Sequence, residues 1–174
     1  NTLVDFWKLL HEEGVAGREV YLTEWGIEHT GDATGPYYWF RNTHYSPVWM
    51  AHFVKQIDDA KRTYAHLQPR MDGMTICLIG GPYSRGRPFV GRRSFFVEKY
   101  VPKPWFNGYV LLNELGDQRL AVRGDGAGRV HCLPTRRPDG SLAILLYHFV
   151  EYDRRQGAHD AVVVTLTGLP LAGK

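Results

Sequence analysis

As far as Gly116 the sequence alternates helix and strand, and that alternation restricts the fold more than any other feature. Leu3, Phe6, Trp7 and Leu10 recur at helical spacing and Gly14 follows, which predicts a short amphipathic helix with a glycine stop. Glu19-Val20-Tyr21-Leu22-Thr23 reads as a strand with apolar residues on both faces. Ser46-Pro47 supplies a capping hydroxyl and then a proline for the first helical position. Met50, Phe53, Val54, Ile57, Ala60 and Tyr64 then form one helical face, with Pro69 just beyond its end. Gly73 to Ile79 reads as a second doubly buried strand, broken by Gly80-Gly81-Pro82. Lys103-Pro104 opens a third helix through Trp105, Tyr109, Leu112 and Leu115, which Gly116 ends. Helices interleaved with such strands predict an α/β fold whose parallel sheet is covered on both faces.

Beyond Gly116 the pattern changes. Leu120 to Val122, Arg129 to Leu133, Leu142 to Val150 and Ala161 to Thr167 read as strands. Turn signals at Asp125-Gly126, Asp139-Gly140 and Gly157 separate them. Successive strands without helices predict an antiparallel sheet or half of a sandwich. The boundary is expected near Gly116 to Asp117, dividing residues 1–117 from residues 118–174. Two long loops interrupt the first part. One runs from about Trp25 to Tyr45 and carries Tyr37, Tyr38, Trp39 and Phe40; the other carries Arg85, Arg87, Arg92 and Arg93. Loops this long are usually functional or disordered, and the aromatic content of the first argues against disorder.

Composition removes several classes of function. A formal charge of +3 on 174 residues does not by itself suggest a nucleic-acid or membrane partner. No run approaches the roughly 18 to 20 apolar residues that span a bilayer. Cys77 and Cys132 lie in apolar strand-like runs far apart and read as buried free thiols, with a disulfide as the alternative that nothing requires. The eight histidines show no metal-site spacing, so no metal or cofactor is implied. The chain opens at Asn1 with residues that already read as folded structure, which suggests the interior of a longer protein and leaves localisation unread.

The sharpest chemical feature is Thr23-Glu24-Trp25. A carboxylate follows an apolar strand directly, and a long aromatic loop follows the carboxylate. In a parallel α/β barrel the carboxyl ends of the strands form the active-site rim, and a reactive side chain there reads as catalytic. A carboxylate that caps the strand or pairs with an arginine is the plainer alternative.

Glu19-Val20-Tyr21-Leu22-Thr23-Glu24-Trp25 resembles the seventh-strand motif of glycoside hydrolase family 39, which includes β-xylosidases and α-L-iduronidases. His44-Tyr45-Ser46-Pro47 resembles the lead-in to that family's seventh helix, and Asp72-Gly73-Met74-Thr75-Ile76-Cys77 its eighth strand. The stretch from Lys103-Pro104 through Leu111-Leu112-Asn113-Glu114-Leu115-Gly116 resembles its final helix. The stretches Asp139 to Tyr147 and Val162 to Pro170 resemble strands of its accessory β-sandwich.

The resemblance implies the C-terminal portion of a (β/α)8 barrel, about strands seven and eight, followed by part of an antiparallel β-sandwich. It implies a retaining glycosidase with Glu24 as nucleophile. The acid/base carboxylate would belong to an Asn-Glu motif at the end of a fourth strand, upstream of this sequence. Asn113-Glu114 falls inside the last helix and reads as structural. The isolated chain is therefore expected not to hydrolyse glycosides.

A carbohydrate substrate is the implied partner. Trp25 would stack on a sugar face or pack beneath the rim, and Tyr83 would line the site. His44 would hydrogen-bond a hydroxyl or serve only at the helix start. Glu28 and Asp32 read as solvated loop carboxylates. Pro88-Phe89-Val90-Gly91-Arg92 resembles a stretch of the iduronidase branch in which an arginine holds the uronate; a solvated basic surface is the alternative. No acidic residue stands shortly after the second strand, as the xylosidase branch has it. A non-catalytic carbohydrate-binding or scaffold protein on the same fold is the competing class. A nucleic-acid module built on the arginine loop would show strongly salt-dependent binding.

Overall fold

The first helix, α1 (Thr2–Glu12), forms where predicted, but the face it buries against Leu67 centres on Val4 and Trp7, and Phe6 of the predicted face is exposed. The Trp7 indole N–H donates to the Arg70 carbonyl at 3.1 Å, so the ring is held by packing and by its polar edge. Gly14 lies at φ +68° just past the helix, in the left-handed conformation that suits a glycine stop. The structure, a computed structural model, describes residues 2–27, 40–76, 79–82, 93–124, 128–151 and 161–168.

A strand–helix–strand unit follows. β1 (Tyr21–Trp25) and β2 (Gly73–Ile76) pair in parallel, and α2 (Tyr45–Thr63) lies between them in sequence. Parallel neighbours require a crossover of this kind. β1 begins later than its sequence pattern predicts and takes in Glu24 and Trp25. The expected double burial is not seen among the described residues. Leu22, Trp25 and Met74 pack with α2, whereas Tyr21 is 60% exposed and Thr23, Glu24 and Thr75 are also exposed.

The start of α2 also departs from expectation. Residues 40–42 form a 3-10 turn that leads almost directly into the helix. His44, not Ser46, occupies the capping position. The Thr43 hydroxyl accepts from the Tyr45 N–H at 3.3 Å, and the Ser46 hydroxyl donates to the Phe40 carbonyl at 2.8 Å. Ser46 is thus spent on the preceding turn.

The predicted strand Gly73 to Ile79 resolves into β2 and a separate β3 (Ile79–Pro82). β3 pairs in parallel with β4 (Ser94–Phe96), so Gly80-Gly81-Pro82 lies within a strand and does not end one. α3 (Pro104–Asn113) packs on α2 through Gly108. A Cβ at Gly108 would lie 2.5 Å from Pro47 Cβ, closer than two carbons can approach. Trp105 and Met50 close the core on either side of this contact.

The tail forms an antiparallel sheet in the order β5 (Gln118–Arg119), β6 (Val130–Arg136), β7 (Leu142–His148). Asp139 and Gly140 make the turn between β6 and β7 as expected, with the Asp139 carboxylate accepting from the Ser141 N–H at 2.9 Å. Leu133 and Tyr147 dock this sheet on Ala51 and Val48 of α2. Arg119 ties β5 to the same helix, pairing with Asp58 and, at 2.7 Å, with Asp59.

Ala161 to Thr167 is not a strand: these residues are exposed and carry no ladder, with Val163 91% exposed. Strand propensity needs a partner to become a strand, and none pairs with this run among the described residues. The described sheets are thus two parallel pairs and one antiparallel triplet. No helix among the described residues is long and apolar enough to cross a membrane.

Candidate functional site

The register of β1 on β2 decides where the Glu24 carboxylate goes. Leu22 lies opposite Met74, and Trp25 lies opposite Ile76. Two residues, Thr23 and Glu24, therefore stand against the single residue Thr75, which is the count of a β-bulge. In a regular strand Leu22 and Trp25 would point to opposite faces. The bulge lets both reach the cluster of Trp25, Met50 and Trp105 on the α2 side. Thr23 and Glu24 are left exposed at the carboxyl end of the strand. The carboxylate thereby avoids the large cost of entering the apolar layer as a charge.

Trp25 supports this display from behind. It is 9% exposed and stacks on Phe53 at 4.6 Å and on Trp49 at 5.5 Å between ring centroids. Trp49 in turn meets the edge of Trp105 at 6.4 Å. The first turns of α2 thus occupy the indole. Neither the Trp25 nor the Trp105 indole N–H has a hydrogen-bond partner among the described residues.

The other residues singled out in the sequence separate into two groups. His44 is exposed at the start of α2, where its carbonyl accepts from the Val48 N–H at 3.3 Å. Tyr83 and Arg92 lie outside the described residues, as do Glu28, Asp32, Arg85, Arg87 and Cys77. Cys132 is a free, half-buried thiol whose pKa burial raises. Glu114 closes the end of α3, and its carboxylate pairs with Arg137 at 2.9 Å, a structural placement for Asn113-Glu114. Among the described residues, no three His, Cys, Asp or Glu side chains gather as a metal site.

Two buried cations escape a reading by pattern. Arg41 is 0% exposed, in the turn before α2, and Lys103 is 1% exposed, at the start of α3. Burial, and next the nearby Arg41 guanidinium, holds the Lys103 ammonium down to about 8. Burial likewise pushes the Tyr109 phenol up to about 12. Lys103 reads in the sequence only as a helix opener. Arg41, a charge set directly after four aromatic residues, was the one available signal. Compared with models of known protein families and with curated proteins, the chain matches none.

Proposed function

We propose that this chain is part of a retaining glycosidase of the family 39 type, in which Glu24 is the nucleophile. The observation that carries the reading is the β1 bulge. It leaves a carboxylate exposed at the carboxyl end of a parallel strand while Leu22 and Trp25 on either side pack with α2. A carboxylate so placed can attack an anomeric carbon as the C–O bond to the leaving group breaks, giving a covalent glycosyl ester that water later cleaves. Protonation of an ordinary leaving group falls to a second carboxylate, which this reading places upstream of Asn1. A barrel and an accessory sandwich, both larger than the sheets described above, belong to the same proposal. So do the uronate clamp by Arg92 and the contacts of Tyr83 and His44 with sugar; Trp25, buried on Trp49 and Phe53, packs behind the strand end and is not offered to a sugar face.

The division of labour suggests a test that needs only the nucleophile. A 2,4-dinitrophenolate leaves without protonation, so 2-deoxy-2-fluoro glycosides carrying it should trap the ester on the full-length protein that contains this chain. With xylose and uronic acid versions, intact-mass and peptide mapping should find one sugar on the peptide containing Glu24. Glu24→Gln should abolish it. A sugar on any other carboxylate, or no adduct with either series, would remove the proposal.

A further inference from the structure

The seam between α2 and the antiparallel sheet holds two histidines with no part in the glycosidase reading. His52 on α2 and His131 on β6 lie 4.7 Å apart between ring centroids, at 54°. Phe149 stacks flat on His52 at 4.0 Å, and Tyr147 approaches His131 at 5.2 Å. The His52 Nδ1 and His131 Nε2 atoms are buried and have no hydrogen-bond partner among the described residues. A neutral imidazole tolerates one dry acceptor nitrogen at modest cost. Once protonated, that nitrogen becomes a charged donor that needs an acceptor or water.

Among the described residues, the charged and titratable groups around the pair offer no rescue. Lys55 and Asp59 face it from α2, and His148 and Tyr147 from β7. Asp59 is the only carboxylate among these groups, and it is already engaged by Lys55 at 2.5 Å and by Arg119 of β5 at 2.7 Å. The Tyr147 hydroxyl points to the Ala51 carbonyl at 3.5 Å. Two imidazolium rings here would repel each other and Lys55 within an aromatic stack.

We propose that the His52–His131 pair is an acid-sensitive latch, which releases the β5–β7 sheet from α2 when the imidazoles take up protons. Burial, with His131 and Lys55 adding and Asp59 opposing, holds His52 down to about 4; burial and Lys55 also lower His131. Folded-state values below the free histidine value mean that the opened state binds more protons. Closure is therefore fully favoured above about pH 6.5 and weakens as the pH falls from there toward 4.

Hydrogen–deuterium exchange of the chain at about pH 7.5 and about pH 4.5, corrected for intrinsic chemistry, tests the latch. After discounting the His52 shift for its partial exposure, β6, β7 and the facing part of α2 should open about tenfold more at the lower pH. α1, β1 and β2 should not. In His52→Phe/His131→Leu the acceleration should vanish, and an undiminished acceleration overturns the proposal. Should that variant fail to fold, imidazole titration of the unaltered chain by NMR decides. Either ring titrating below about pH 6 supports the latch, and both titrating at or above it overturn it.

Discussion

Thr135 shows how much one buried hydroxyl can organise. It accepts from the Gly116 N–H at 2.7 Å and donates to the Ala143 carbonyl at 3.2 Å, joining the end of α3 to β6 and β7. Gly116 must be glycine for this approach, because a Cβ there would strike the Arg136 carbonyl. Thr135→Val keeps the shape and strips both bonds, so it should cost about 1–3 kcal/mol in urea unfolding. A loss below about 0.5 kcal/mol would assign the junction to packing alone. At this scale the sequence was readable where a residue type is unusual for its setting. Glu24 after an apolar strand and Gly116 at a helix end both stand out. Lys103 and the His52–His131 pair do not, because their burial comes from elements distant in sequence.

Among the elements, those with long periodic patterns were legible: α1, α2, α3, β6 and β7 fall close to their predicted places. β4 was missed because three residues are too few to show an alternation. Ala161 to Thr167 was over-read because a run of valines favours a strand but does not supply its partner. β5 is only two residues long, and its attachment to α2 rests on Arg119. Burial opposes ionisation of Asp58 and Asp59, but hydrogen bonds from Arg119, with Arg62 and Lys55, outweigh it and hold both carboxyls below their usual value. Lowered carboxyl values stabilise the fold above the unfolded value and lose that contribution as the pH falls through the folded one. Arg119→Met should therefore cost about 1–2 kcal/mol near neutrality. The gap between variant and parent should narrow below about pH 4, where the carboxylates protonate. A gap that does not change with pH in urea titrations would contradict the ion-pair account.

For the molecule as a whole, α2 is the shared wall. Its Met50 joins the cluster behind Glu24, its Ala60 packs toward α1, and its Ala51 and Val48 meet the antiparallel sheet. While the His52–His131 seam is closed, above about pH 6.5, an element that serves three clusters couples them. Near neutral pH, tryptophan fluorescence and far-ultraviolet circular dichroism should report the same urea midpoint. Midpoints separated by more than about 0.5 M would mean that the sheet unfolds independently of the parallel unit. The alternation of helix and strand made the parallel unit legible, and the tail announced an antiparallel sheet. Which strand pairs with which is set by partners distant in sequence, and short-range pattern carries no record of those.

The surplus residue in β1 has a consequence for how such a chain can change over time. Leu22 and Trp25 are the foundations, fixed in hydrocarbon on the helix side. Thr23 and Glu24 hang between them like a short span between two piers. Mutation can exchange the side chain at position 24 while Leu22 and Trp25 keep their hold, so what the strand displays and what anchors it can change separately.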